Sequence, residues 1–275
     1  MRAPSEHADT APRRGRVRRS VTVHTDGRAM HGKDWLVEEA PVELRFNGES
    51  FAVMMATPTD LEDFACGFAL SEGCVDDPAD ILDLSVDEHL EGYVVDMATR
   101  TARAADTPAR LLPGRSGCGL CGSRRLEDVL RTPAPVVDGP MIDSAALETA
   151  LSALTAHQPL NVDSGAAHAA AWASTTGDIL CVREDVGRHN ALDKLLGALS
   201  RSHTDLHAGF VLVTSRASYE MVTKTARLGI GLLAAISAPT ALAVTLAQSS
   251  HLTLVGFARP GRHVVYSHAK RLRDD

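Results

Sequence analysis

Cys118 and Cys121 stand three positions apart in Gly114–Arg125, GRSGCGLCGSRR, and thiols so placed do chemistry once they ionise. Gly117, Gly119 and Gly122 leave both thiols open to close approach, because glycine adopts backbone angles that other residues avoid. Arg115, Arg124 and Arg125 favour thiolate over thiol by Coulomb attraction. Ser123 can cap a short helix with apolar positions Leu126, Val129 and Leu130, which sets Cys121 just before a positive dipole end. The pair suits a zinc half-site, a dithiol redox couple or a sulfur relay, and the motif alone does not choose. A closed zinc site needs four ligands, and no second CxxC or CxxH exists. Cys66, Cys74 and Cys181 stand singly, and the first two read as packing residues.

A second set of reactive groups falls where strands are expected to end: EDVGR at 184–188, SRAS at 215–218, SAPT at 237–240 and FARPGR at 257–262. Open α/β sheets bind ligands at such ends. Ser215 and Ser218 beside Arg216, with the free amides of a helix start, suit phosphate, and Arg259 and Arg262 add charge-assisted contacts. The alternative for each cluster is an ordinary cap or loop, and the four together point to a large anionic ligand. His168 opens a strand as the histidine of zinc-dependent nucleoside deaminases does, but Ala170 stands in the position of the catalytic glutamate and no CxxC follows. Deaminase chemistry is disfavoured, and His168 is expected to be structural or to touch ligand, with no metal bound.

These groups need a scaffold. VELRF, NGES and FAVMM over 42–55 read as a β-hairpin turning at Asn47 and Gly48. A helix follows, opened by Thr57, Pro58 and a capping box of Thr59 and Glu62, lined by Leu61, Phe64, Ala65 and Phe68, and stopped by Gly73. Strands are expected at 81–86 and 92–97, then a long loop carrying the thiols. TPAPVVDGP at 132–140 has the composition of a connector. Beyond it, helices at about 143–157, 189–200, 218–230 and 239–248 alternate with strands AHAAAW, ILCVR, GFVLVTS, LLAAIS and LTLVGF. The expected organisation is a basic, disordered arm and lead-in over 1–34, an α+β domain over 35–131 ending in the thiol loop, and an α/β layer domain over 141–275.

Composition narrows the function. The chain has 275 residues, 44% of them hydrophobic, enough for a substantial core. Its formal charge of -7 argues against a nucleic-acid-binding body, although six arginines crowd residues 1–20. The alanine-rich run 228–247 contains Gly229, Gly231, Ser237 and Pro239 and reads as buried core, so no membrane span is expected. Five cysteines without a signal-peptide pattern indicate a reducing cytoplasm.

The motifs NGESFAVMMATPTDLEDFACGFALSEG, SGCGLCG, AAHAAAW, EDVGRHNALDKLLG, TSRASYEMVTK and LTLVGFARPGR resemble the FdhD-type formate dehydrogenase accessory proteins over roughly 35–270. The chain departs from them at SGAAHAA, where a TGG-type lead is usual, and at Ala258, where a relative can have cysteine. The resemblance implies a cytidine-deaminase-like three-layer fold without deaminase chemistry, and a homodimer. It implies a sulfur carrier that takes persulfide sulfur from an L-cysteine desulfurase and passes it to the molybdenum cofactor before insertion into formate dehydrogenase. Phe257, Ala258, Arg259, Pro260, Gly261 and Arg262 map onto the segment assigned to the bis(molybdopterin guanine dinucleotide) cofactor, of which GDP is a partial mimic. Cys118 then carries the persulfide and Cys121 assists. Three other readings stay open: a zinc-knuckle interaction module, a guanine-nucleotide-binding chaperone whose thiol pair is structural, and a dithiol oxidoreductase that needs both cysteines equally.

Overall fold

The computed structural model describes residues 14–100 and 133–273; the thiol segment Gly114–Arg125 and the first 13 residues lie outside them. Strands β1 (Arg16–Thr25) and β2 (Arg28–Val37) form a two-stranded antiparallel ribbon. The sequence reading expected disorder here, and the ribbon corrects it for residues 16–34. Its cause is the Asp26-Gly27 turn, with φ of 51° and 76° at its two central residues, the left-handed pair that matches strand twist.

β3 (Ala40–Phe46) and β4 (Glu49–Ala56) are the expected hairpin, turned by Asn47 and Gly48 in the same way. With β5 (Ile81–His89) and β6 (Gly92–Thr99) they make a four-stranded sheet ordered β4-β3-β6-β5. Helix α1 (Leu61–Glu72) lies on that sheet and ends at Gly73, whose φ of 74° lets its N–H bond back to Leu70 O. The capping box does not form. Asp60 is the N-cap, without a side-chain bond, because Glu62 is drawn to Arg201 and the Thr59 hydroxyl to Lys194.

The second sheet has six strands ordered β13-β12-β11-β10-β8-β9. The short β7 (Ile142–Asp143) and helices α2 (Ser144–Leu154) and α3 (Pro159–Ser164) lead into β8 (His168–Ser174) and β9 (Ile179–Asp185). Helix α4 (Arg188–Arg201) follows, then β10 (Gly209–Val213), α5 (Tyr219–Arg227), β11 (Leu232–Ala235), α6 (Ala241–Ser249) and β12 (Thr253–Arg259). β13 (Arg262–Ser267), absent from the sequence reading, pairs antiparallel with β12, and β14 (Leu272–Arg273) pairs with β7.

β10, β11 and β12 run parallel and fully buried along GFVLV and LLAA, as strands covered on both faces must. On one face Leu147, Leu151 and Leu154 of α2 meet Phe210, Leu212 and Val255. On the other, Leu192, Leu195, Met221, Val222 and Ala243 from α4, α5 and α6 meet Trp172, Val211 and Leu254. A separate core joins Phe64 and Phe68 of α1 to Val42, Leu44, Val95 and Met97.

The two cores meet where α1 crosses α4. A Cβ on Gly67 would lie 1.8 Å from Asp193 O, and one on Gly197 1.9 Å from Asp63 O, so the helices touch backbone to backbone. α1 is therefore covered on both sides, which is why residues as different as Asp63, Ala65, Phe68 and Ser71 are all buried.

Candidate functional site

The strand directions build the site. β10, β11 and β12 end at one edge, and β8 and β9 run antiparallel to their neighbours, so the start of β8 and the end of β9 arrive there too. Val213 is level with both Ala170 and Ala235, and His168 faces Asp185. The loops beyond are tied together by Thr214 N–H to Ala169 O (3.0 Å), Ile236 N–H to Val213 O (3.0 Å), Thr240 N–H to Ala217 O (3.0 Å) and Phe257 N–H to Ser237 O (3.1 Å). All four polar clusters of the sequence are thus brought to one edge.

Three helices start at this edge: α4 after Gly187, α5 after Ser218 and α6 after Thr240. Thr240 caps its helix through Ala243 N–H, whereas Gly187 and Ser218 supply no side-chain cap. Uncapped N–H groups and aligned dipoles favour an anion. The starts of α4 and α5 adjoin, because buried His189 places Nε2 2.7 Å from Glu220 Oε2 and 3.5 Å from Ser218 Oγ. Burial works to raise the Glu220 pKa, but the hydrogen bond and charge of His189 prevail and hold it below the usual carboxylate value. Among the described residues, the buried atoms Arg188 Nε and His189 Nδ1 find no hydrogen-bond partner, which is the condition a bound polar ligand would relieve.

The sequence-derived residues divide in use. Arg216 is exposed at the edge, while Ser215 is buried with its hydroxyl donating to Arg216 O at 3.0 Å. His168 is half-buried; burial first, then Arg188 and His189, hold its pKa below the ordinary histidine value against the pull of Asp185. Arg259 and Arg262 pair across the tip of the β12–β13 hairpin, both exposed, around the turn made by Pro260 and Gly261. The Gly261 N–H donates to Glu148 Oε2 (2.8 Å), and the Arg262 guanidinium lies 5.4 Å over the Phe257 ring. Ala258 is buried against the α2 side of the sheet. Among the described residues no three histidine, cysteine or acidic side chains gather as metal ligands would.

Glu184 and Asp185 correct the reading of EDVGR as a ligand-facing cluster. Glu184 accepts from Leu160 N–H and Asn161 N–H (both 2.8 Å) at the start of α3. Asp185, wholly buried, pairs with Lys194 at 2.7 Å and accepts from Thr57 N–H at 2.9 Å. A cleft of about 690 Å³ lies elsewhere, between the ribbon base and the start of α1, lined by Glu38, Asp60, Glu62 and Glu88 among others. Its lining sets Glu38, Asp60, Glu62, Asp63 and Glu88 against Arg14 and Arg201, a net negative charge that disfavours an anion. His189 and Glu220 were missed from sequence, yet each stands two positions after its helix cap, in GRH and SYE, an offset that could have flagged them.

The thiols of the described residues are poor nucleophiles. Burial pushes the Cys66 pKa up to about 11 and also raises that of Cys181, and Cys74 is buried. None of the described helices is long and apolar enough to cross a membrane.

The profile of the FdhD/NarQ family matches residues 37–273. The chain is 54% identical over 265 residues to a sulfur carrier protein FdhD of Xanthomonas campestris pv. campestris, covering 96% of this chain and 94% of the relative. It is 51% identical over 251 residues to a sulfur carrier protein FdhD of Cupriavidus necator, covering 90% and 87%. A crystal structure described as a candidate formate dehydrogenase accessory protein of Desulfotalea psychrophila superposes with a TM-score of 0.74 at 23% identity, over 94% of this chain and 99% of that one.

Proposed function

The chain belongs to the FdhD/NarQ family, and on that footing we propose that it is a sulfur carrier for formate dehydrogenase that works through a cysteine persulfide in the cytoplasm. The observation that carries this reading is the 54% identity across nearly the whole chain to a protein named a sulfur carrier. The burial of Cys66 and Cys74, and the raised pKa of half-buried Cys181, support it by leaving Cys118 and Cys121, in their arginine-flanked glycine segment, to do the chemistry.

In this reading the Cys118 thiolate attacks the terminal sulfur of a persulfide on an L-cysteine desulfurase. One S–S bond forms on Cys118 as another breaks on the donor, which leaves as thiolate. Cys121 then attacks the Cys118 sulfur, releasing the terminal sulfur at the sulfide level. The thiol pair supplies both electrons and is left as a disulfide. The acceptor is the molybdenum cofactor in its bis(guanine dinucleotide) form, held as substrate at the sheet edge.

That edge fits such a ligand through the starts of α4 and α5, the unpartnered Arg188 Nε, and Arg216, Arg259 and Arg262. We read the six-stranded layer as cytidine-deaminase-like in plan, with Ala170 in place of the acid a deaminase needs. The protein is expected to act as a homodimer. Mass spectrometry after incubation with cysteine and a desulfurase tests the chemistry: the peptide carrying Cys118 should gain about 32 Da, one sulfur atom. The gain should vanish in Cys118→Ala and persist in part in Cys121→Ala. Loading of Cys118→Ala at the wild-type level with none in Cys121→Ala would reverse the assignment.

A further inference from the structure

The β1–β2 ribbon is a fold element without a core of its own. Two strands of ten residues stand paired only with each other, an arrangement of marginal stability in water. The base is fixed: Glu38 N–H donates to Gly15 O at 2.8 Å, Arg16 pairs with Asp163 and stacks 4.4 Å over Trp35, and β2 touches α3. Beyond the base, no hydrogen bond or ion pair joins Val17–Val37 to the body among the described residues. The pairing sets Val17, Val21, Val23, Met30 and Leu36 on one face, and Val23, Met30 and Leu36 are exposed. An apolar face so presented calls for a partner.

The partner's chemistry is written in the same chain. The ribbon carries Arg16, Arg18, Arg19, Arg28 and Lys33 against only Asp26 and Asp34. Residues 76–91, which contain the edge strand β5, hold seven carboxylates and no lysine or arginine. Arg227 and Arg100 reach only the first part of this strip, at Asp76 and Asp80. Asp83, Asp87 and Glu91 make no ion pair among the described residues, and Leu82 and Leu90 are exposed beside them. β5 also ends its sheet, so one side of its backbone is open to another strand.

We propose that the ribbon is a dimerisation arm: the β1–β2 ribbon of one copy lies along the acidic β5 edge of a second copy, and the reciprocal contact closes a two-fold dimer. Each copy offers one arm and one edge, of opposite charge and each with an apolar stripe, and the two-fold arrangement uses both at once, which stops the assembly at two. The inference rests on the homodimer reading above and not on the sulfur chemistry.

Sedimentation velocity of the full chain at micromolar concentration tests it. The wild-type chain should run as a dimer that loosens as salt rises. Arg19→Glu with Arg28→Glu and Lys33→Glu should weaken the dimer by at least about tenfold, as should Asp83→Lys with Asp87→Lys and Glu91→Lys. A chain carrying both sets should regain the dimer, with circular dichroism unchanged throughout. A monomeric wild-type chain, a dimer that either set leaves intact, or a doubly reversed chain that stays monomeric would overturn the proposal. Sulfur loading is scored separately by mass, so failure of the carrier reading leaves this result standing.

Discussion

The seam between α1 and α4 and the open edge of the six-stranded sheet both gather charge, yet they dispose of it in opposite ways. At the seam, Lys224 meets Asp193 and Glu72 at 2.9 Å each, Ser71 donates to Asp193 at 2.7 Å, and Asp63 holds Arg183 and Arg201. Burial works against the charge on Lys224, but the two carboxylates outweigh it and raise its pKa. At the edge, Arg216, Arg259 and Arg262 face solvent without a carboxylate at ion-pair distance among the described residues. Neutralised buried charge fixes how two cores join; uncompensated exposed charge beside uncapped helix starts waits for a ligand.

The comparison is easiest to break at the seam. Asp193→Ala leaves buried Lys224 with one carboxylate instead of two and should cost about 3 to 5 kcal/mol in a urea titration. The folded fraction should still bind GDP as the wild type does. Gly197→Ala comes next: its new Cβ meets the Asp63 carbonyl, so the helices must separate, at about 1 to 3 kcal/mol. Alanine's better helix propensity, roughly 1 kcal/mol, offsets part of that.

The smallest effect belongs to His168. Its folded pKa is depressed, so the unfolded chain takes the proton more readily and stability declines as pH falls from about 6.5 toward the folded value. His168→Gln should flatten that part of the curve of melting temperature against pH. An unchanged slope would mean that the ring is not held neutral by its surroundings.

Much of this division was legible in the sequence. Strand-end clusters converge because parallel strands share their C-terminal edge, so SRAS, SAPT and FARPGR belong together on the sequence pattern alone. Asn47-Gly48 and Gly73 announced a turn and a helix end. The seam was not legible, because it depends on which helix crosses which. Gly67 and Gly197 look like helix breakers until the two backbones are seen in contact, and Asp185 looks like a ligand group until its contacts with Lys194 and Thr57 are seen. The ribbon was missed for a different reason: the arginines around it outweighed the Asp26-Gly27 signal, although a solvated ribbon tolerates charge on both strands.

One paired measurement tests the central claim that the seam builds and the edge binds. Arg262→Ala and Arg201→Ala each remove one guanidinium, the first from the hairpin tip and the second from the Asp63 and Glu62 carboxylates. GDP affinity by calorimetry and stability by urea denaturation are read on both. Arg262→Ala should weaken GDP by about 1.5 to 3 kcal/mol, roughly one to two decades, at unchanged stability. Arg201→Ala should lower stability at unchanged affinity. GDP bound by Arg262→Ala as tightly as by the wild type would contradict the account.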